Sequence, residues 1–226
     1  MNIKKLILDS YTIPLPVPVK AYAAGLMTGF DIVVVRITDE NGNEGQGYTT
    51  GHTGFGGSIV RIIKDSFESI LIGEDSARIE YLWLKMWKKT HYVGRGGQAS
   101  FAISAVDAAL WDLLGKRLKQ PLWKLLGGYS PKVKVYAGNI DLNFPIEQIL
   151  DNATKNIEDG FKAIKMRLGR DTLKEDLSRV EAMRNHIGDD IELMADANEA
   201  WRVDQALKAS NELANFNLTW LEEPIT

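Results

Sequence analysis

The chain has 226 residues, 45% of them hydrophobic and 25% charged, which is typical of a soluble globular protein with a sizeable core. A formal net charge of −3 without a Lys/Arg stripe gives no basis for nucleic-acid binding. The sequence contains no cysteine, which excludes disulfides and thiolate metal sites.

The N-terminal residues lack the apolar core of a signal peptide. No apolar run approaches the roughly 18 residues that a membrane helix needs. We therefore expect a cytoplasmic protein without a membrane partner.

The first part of the chain predicts strands followed by helices. Strand patterns cover residues 3–11, 31–38 and 43–48, and Asn41-Gly42 predicts a hairpin between the last two, because both residues tolerate positive φ. Helical periodicity covers residues 58–71, 76–89 and 98–118, and a short helix follows Pro121. This order is typical of an α+β domain, which we place at residues 1–125.

Residues 126–226 predict a different architecture, in which strands and helices alternate. The predicted strands are 133–138, 161–168, 191–196 and 218–222, and helical segments separate them. Such βα units form a parallel sheet with right-handed crossovers. Both an open doubly wound sheet and a (β/α)₈ barrel fit the alternation, but no Gly-rich fingerprint follows the first strand, which favours the barrel. Three complete units and a fourth strand are present, so the predicted barrel is incomplete.

The second strand of this repeat ends in two cations. Lys165 and Arg167 share one face, because side chains alternate along a strand. Facing a barrel interior, both would be costly without an anion nearby. Taken alone, the pair is more simply explained as cations at a solvated strand end.

Acidic side chains end the next two strands. Asp196 and Asn198 are expected on one side of the third strand, and of Glu222 and Glu223 in the fourth only one can point inward. Asp196 and Glu222 would then lie on adjacent strands at the C-terminal face, where barrel active sites are built. Each acid alone is more often a helix N-cap or a solvated strand end. Together, and one repeat after the cation pair, they indicate a Mg²⁺ site made of hard oxygen ligands.

These motifs carry a family resemblance. Lys165-x-Arg167, Asp196-x-Asn198 and the Leu-Glu-Glu-Pro of residues 221–224 resemble the K-x-K, D-x-N and EEP motifs of the mandelate racemase/muconate lactonizing group of the enolase superfamily. Residues 96–128 are similar to the stretch that links that family's capping domain to its barrel. The resemblance covers essentially the whole chain. It implies an α+β capping domain followed by a partial (β/α)₈ TIM-type barrel at residues 126–226.

The resemblance also implies roles for single residues. Asp196 and Glu222 would be two of three Mg²⁺ ligands, and the third acid would lie beyond Thr226. Lys165 would neutralise the substrate carboxylate or assist proton abstraction, and Asn198 would contact substrate oxygens. The family's shared chemistry is removal of the proton α to a carboxylate, with a divalent cation stabilising the charge that develops.

Arg167 departs from the family pattern. Racemases and epimerases of the family have a second lysine there as a general base, whereas arginine stays protonated at neutral pH and is a poor base. The departure favours acid-sugar dehydratases, in which Arg binds or polarises and a His on a later strand does the acid–base work. That His would also lie beyond this chain, because His52, His91 and His186 do not fall at barrel strand ends.

Two segments of the N-terminal part, residues 14–29 and 49–57, resemble the family's capping loops. Their glycine content suits a mobile lid. Tyr22 and His52 are therefore expected substrate contacts, with an ordinary exposed loop as the alternative.

The sequence thus predicts a Mg²⁺-dependent lyase that eliminates water from a sugar acid. The first alternative is a racemase or epimerase of an α-substituted carboxylate. The second is a non-catalytic half-barrel, because a chain with two metal ligands and no downstream base is expected to bind Mg²⁺ weakly and to be inactive alone. The resemblance further implies a homo-oligomer when the protein is complete.

Overall fold

A computed structural model describes residues 1–226 and divides them into two compact units. The first unit contains Met1–Pro16 and Thr28–Lys132. The second contains Val17–Met27 and Val133–Thr226. The second unit therefore includes a short segment from early in the chain, which the spacing of the elements does not predict.

The early strands form a three-stranded sheet in the order β1-β2-β3. The strands are β1 (Ile3–Ala21), β2 (Gly25–Asp39) and β3 (Glu44–His52). The last two are antiparallel, and the hairpin predicted at Asn41-Gly42 is confirmed. Asp39 closes this turn, because its carboxylate accepts hydrogen bonds from the backbone N–H groups of Asn41 (2.9 Å) and Asn43 (3.0 Å).

Helices complete the first unit. A continuous helical stretch consists of α1 (Gly56–Ile62), a π-helical turn (Ile63–Phe67) and α2 (Glu68–Leu71), and it matches the one helix predicted at residues 58–71. The remaining helices are α3 (Ile79–Lys89), α4 (Gln98–Leu118) and the short α5 (Leu122–Leu125).

Close packing of α4 on β3 explains why α4 is rich in alanine. A Cβ added at Gly47 would lie 2.5 Å from the backbone nitrogen of Ala109 and closer still to the carbonyl oxygen of Ala105. Backbone atoms cannot move aside as a flexible side chain can, so glycine is required where the helix crosses the strand.

The second unit is built around a parallel sheet in the order β4-β5-β6-β7. Its strands are β4 (Ala137–Gly138), β5 (Ala163–Arg167), β6 (Glu192–Asp196) and β7 (Leu218–Glu222). They alternate with α6 (Ile146–Glu158), α7 (Leu173–Ile187) and α8 (Val203–Leu213), and a 3-10 turn (Ala214–Phe216) precedes β7. The strand predicted at residues 133–138 is shorter than expected, because only its last two residues pair with β5.

Alternation along β5 separates the two faces of this sheet. Ile164 and Met166 are fully buried in the apolar core that contains residues of α6, α7 and α8. Lys165 and Arg167 therefore take the opposite face, as the alternation predicted.

No helix combines the length and the hydrophobicity needed to cross a membrane.

Candidate active site at the strand ends

Four charged side chains meet at the carboxyl ends of β5, β6 and β7. The Lys165 Nζ donates hydrogen bonds to Asp196 Oδ2 (3.0 Å) and to Glu222 Oε2 (2.8 Å). Arg167 Nη1 donates to the same Asp196 oxygen. The strand register explains the cluster, because Arg167 lies opposite Asp196 and Asp196 lies opposite Glu222. Two cations thus balance two carboxylates at one edge of the sheet.

Burial makes this pairing energetically important. Asp196 is 1% exposed and Lys165 is 6% exposed. Removing one partner from a buried ion pair leaves an uncompensated charge out of water, which is strongly destabilising. Each strand end therefore depends on its neighbours for charge balance.

The hydrogen bonds also change the acidity of the groups. Burial alone would lower the pKa of Lys165, but its hydrogen bonds to Glu222 and Asp196 outweigh burial and raise that pKa above its ordinary value. The bond from Lys165 lowers the pKa of Glu222, and a bond from Trp220 Nε1 (3.1 Å) acts in the same direction. Both partners are held in their charged forms in this arrangement.

The structure adds two residues to the site, Asn139 and Asp141, which the sequence analysis did not identify. Arg167 donates from Nε to the carbonyl oxygen of Asn139 (3.3 Å) and from its backbone nitrogen to Asp141 Oδ1 (3.0 Å). Asp141 is completely buried, and burial raises the pKa of its carboxyl. Asn139 and Asp141 follow Gly138, the last residue of β4, by one and three positions. The predicted strand also ended at Gly138, so the reasoning applied to the other strand ends could have found both residues.

Asn198 lies beside Asp196 for a different reason than predicted. The strand β6 ends at Asp196, and Asn198 has a left-handed backbone with φ of 51°, so strand alternation does not extend to it. Its backbone nitrogen donates to Asp196 Oδ1 (2.9 Å), and its Nδ2 donates to Glu223 Oε2 (3.3 Å). A tight turn after the strand, stabilised by Asp196, therefore places Asn198 next to the cluster.

The predicted capping loop at residues 14–29 is largely strand, because β1 runs to Ala21 and β2 begins at Gly25, and His52 ends β3. The two residues expected to contact substrate belong to different units. Tyr22 lies in the second unit, where it lines a cavity of about 660 Å³ together with residues of the loop between β6 and α8. The four charged residues do not line that cavity. His52 lies in the first unit, in a cavity of about 380 Å³ whose lining includes Phe55 and Phe101.

The paired carboxylates fit part of a magnesium site. Asp196 Oδ2 and Glu222 Oε2 both accept from Lys165 Nζ within 3.0 Å, so the two carboxylates lie close together with the ammonium group between them. Magnesium is commonly bound by one or two carboxylates together with water and substrate oxygens. Residues 1–226 contain no group of three His, Cys, Asp or Glu side chains that could hold a metal by themselves.

Comparison with protein families gives two matches that together span most of the chain. The model for the mandelate racemase/muconate lactonizing enzyme N-terminal domain matches residues 7–127. The enolase C-terminal domain-like model matches residues 148–226.

Individual proteins agree with this assignment. The 3,6-anhydro-alpha-L-galactonate cycloisomerase of Streptomyces coelicolor is 47% identical over 222 residues, which cover 98% of this chain and 62% of that protein. Other relatives are named as sugar-acid dehydratases or as epimerases. The chain thus spans about six tenths of the length of this cycloisomerase, and the family includes more than one reaction.

Solved structures show the same fold with magnesium. A racemase from Streptomyces coelicolor A3(2) with bound magnesium has a TM-score of 0.97 and 46% identity, and the match covers 99% of this chain and 63% of that one. The L-talarate dehydratase of Polaromonas sp. JS666, complexed with Mg and L-glucarate, has a TM-score of 0.91 and 34% identity, with coverage of 100% and 62%. The predicted resemblance and fold class, an α+β capping domain followed by part of a (β/α)₈ barrel, are confirmed. The chain belongs to the mandelate racemase/muconate lactonizing enzyme group of the enolase superfamily.

Proposed function

We propose that this chain carries part of the active site of an enzyme that eliminates water from a sugar acid. The reaction breaks the C–H bond α to the carboxylate and the C–O bond on the next carbon, and the resulting enol becomes a 2-keto-3-deoxy acid. The observation that carries the proposal is the convergence of Lys165, Asp196 and Glu222 at the carboxyl ends of adjacent strands. Barrel enzymes place their chemistry at that edge.

The metal ligands in this proposal are Asp196 and Glu222. A divalent cation bound there supplies positive charge opposite the negative charge that develops on the substrate carboxylate. The two carboxylates lie close together at adjacent strand ends, and their oxygens are the ligand type that magnesium prefers.

The cations have separate roles. Lys165 would neutralise the substrate carboxylate, because its ammonium group lies at the same strand ends as the two proposed metal ligands. Arg167 binds and polarises substrate oxygens and does not act as a base, since a guanidinium keeps its proton at neutral pH. Asn198, Tyr22 and His52 are the proposed substrate contacts.

Cycloisomerisation is a second candidate, favoured by the 47% identity to 3,6-anhydro-alpha-L-galactonate cycloisomerase. In a 3,6-anhydro acid the oxygen on the carbon β to the carboxylate belongs to a ring. The same α-proton removal would then expel a ring oxygen where a dehydratase expels a hydroxyl group. Racemisation is less favoured, because Arg167 cannot serve as the second base.

The test uses the 226-residue chain and any longer product of its reading frame. Each protein is incubated with Mg²⁺ and a panel of sugar acids in D₂O, and products are identified by NMR. A keto acid that has lost water supports the dehydratase, and an isomer formed from an anhydro acid supports the cycloisomerase. Deuterium at the α-carbon without elimination supports a racemase or epimerase. No exchange and no product from a protein of the relatives' full length would remove the proposal.

Magnesium binding by the 226-residue chain is expected to be weak, because it offers two acids at one point. Calorimetric titration with Mg²⁺ measures this, with Asp196→Asn as the variant that removes one ligand. Tight binding that is unchanged in the variant would show that the metal binds elsewhere.

A further inference from the structure

The side-chain amide of Asn143 holds the segment Val17–Met27 at one point in the second unit. The backbone nitrogen of Lys20 donates to Asn143 Oδ1 (2.9 Å), and Asn143 Nδ2 donates to the carbonyl oxygen of Pro18 (3.3 Å). Asn143 lies in the loop between β4 and α6. Its amide therefore serves both a donor and an acceptor of this segment, as a neighbouring strand would.

Close approach of Tyr22 to Gly169 fixes the same segment at a second point. Gly169 has φ of 106°, and a Cβ added there would lie 2.8 Å from Ala200 Cβ and 3.3 Å from Tyr22 Cβ. The Gly169 backbone nitrogen donates to both carboxylate oxygens of the buried Asp176 (3.1 Å each), so this loop is itself well anchored. Tyr22 thus rests against a rigid loop that follows β5.

The cavity beside Tyr22 is lined by both polar and apolar side chains. The Tyr22 side chain is exposed, and the cavity of about 660 Å³ is also lined by Glu199, Arg202, Asp204 and Gln205. Hydroxyl, carboxylate, guanidinium and amide groups together suit a ligand with several hydroxyl groups. These residues belong to the segment that follows the end of β6, the strand that carries Asp196.

We propose that Asn143 is a positioning residue that holds Tyr22 at the edge of this cavity for the polyhydroxyl part of a sugar-acid substrate. The role toward substrate rests on the proposed function, whereas the anchoring of residues 17–27 by Asn143 does not. Asn143 acts through the backbone of Lys20 and Pro18 and does not touch the reacting atoms.

Hydrogen exchange on the 226-residue chain, without metal or substrate, tests the anchoring. Asn143→Ala removes two hydrogen bonds, and we expect the Lys20 amide to exchange at least roughly tenfold faster. Asn143→Asp keeps an acceptor for Lys20 but loses the donor to Pro18, so its exchange rate should lie between those of the parent and the alanine variant. Asn152→Ala, a substitution on α6, is the matched control and should leave the Lys20 amide unchanged.

The exchange of the Leu168 amide separates anchoring from general destabilisation. This amide donates to the carbonyl oxygen of Asp196 at the strand ends (2.8 Å), and it should keep its parental rate in Asn143→Ala. Equal acceleration at Leu168 and Lys20, or no acceleration at Lys20, would overturn the proposal.

Kinetics test the role toward substrate once a turned-over sugar acid is known. Asn143→Ala should raise KM by roughly tenfold and change kcat little, because it loosens the segment at residues 17–27, whose Tyr22 lines the cavity, and leaves the charged cluster intact. A parental KM together with a loosened Lys20 amide would overturn the positioning role, and this result differs from the absence of turnover that would remove the proposed function.

Discussion

The two units of this chain bury charge in different ways. In the first unit, Asp31 accepts hydrogen bonds from Thr12 Oγ1 (2.7 Å) and from the backbone nitrogens of Gly54 (2.7 Å) and Gly56 (2.9 Å). Its partners are neutral donors, and it shapes the turn between β3 and α1. In the second unit, Lys165 and Asp196 are buried against each other. Charges of both signs that meet at strand ends can be redistributed when a charged ligand arrives, whereas a carboxylate fixed by turn amides cannot.

Burial of charge alone does not mark a site, even within the second unit. Arg184 is also buried, but its guanidinium donates to the carbonyl oxygens of Gly188, Ile191, Phe216 and Asn217. This arginine ties together the end of α7 and the starts of two strands. The cluster at the strand ends differs because oppositely charged side chains face one another at the carboxyl edge.

The largest expected effect is the loss of stability when the close packing of α4 on β3 in the first unit is disturbed. Gly47→Val would place a branched side chain against backbone atoms of α4, and overpacking that cannot relax costs about 3 kcal/mol or more. Urea unfolding followed by circular dichroism measures the loss. Gly57→Ala is the control, because a Cβ there meets nothing within 4 Å. A fully stable Gly47→Val chain would show that β3 and α4 are less tightly packed than described.

A somewhat smaller effect is expected from breaking the charge balance of the second unit. Asp196→Asn leaves Lys165 paired with Glu222 alone and removes the carboxylate partner of Arg167. We expect a loss of about 3 kcal/mol in the free energy of unfolding, the lower end of the range for breaking buried pairs, because Glu222 remains. The same substitution at the exposed Asp189 should change the stability little. A loss no larger than that of Asp189→Asn would mean that the cluster is solvated and contributes little.

The smallest effect concerns Asp31, the buried carboxylate of the first unit whose hydrogen-bond donors are neutral. Hydrogen bonds from Gly56 and Thr12 lower the pKa of Asp31, so its stabilising contribution is present above the unfolded-state pKa and is lost as pH falls through the lower folded-state pKa. The difference in Tm between the parent chain and Asp31→Asn should therefore be largest near neutral pH and should shrink below about pH 4. A difference that is constant from pH 7 to pH 3 would show that the charge of Asp31 contributes nothing.

Much of the fold follows from patterns that are local in sequence. The hairpin at Asn41-Gly42, the bounds of α4 and the alternation along β5 each depend on residues within a few positions of one another. For the same reason the sequence alone assigns Lys165 and Arg167 to one face, and Asp196 and Glu222 to one edge. Local geometry dictates these features, because helices and strands repeat with fixed periods.

Other features depend on contacts between residues that are distant along the chain. The shortness of β4 was decided by how few of its residues find a partner in β5, and the bonds of Asn139 and Asp141 to Arg167 depend on the path of the chain after that strand. The contacts that the segment around Tyr22 makes within the second unit likewise involve residues such as Asn143, more than a hundred positions away.

Residue types and periodicity thus determined the order of the elements and the charged cluster at the strand ends, and the motifs at those ends carried the family resemblance. Tertiary structure alone decided the pairing of Lys165 with both acids, the left-handed turn at Asn198 and the anchoring of residues 17–27. The physical reason is that hydrogen bonds and close packing between remote segments depend on distances that no local period encodes.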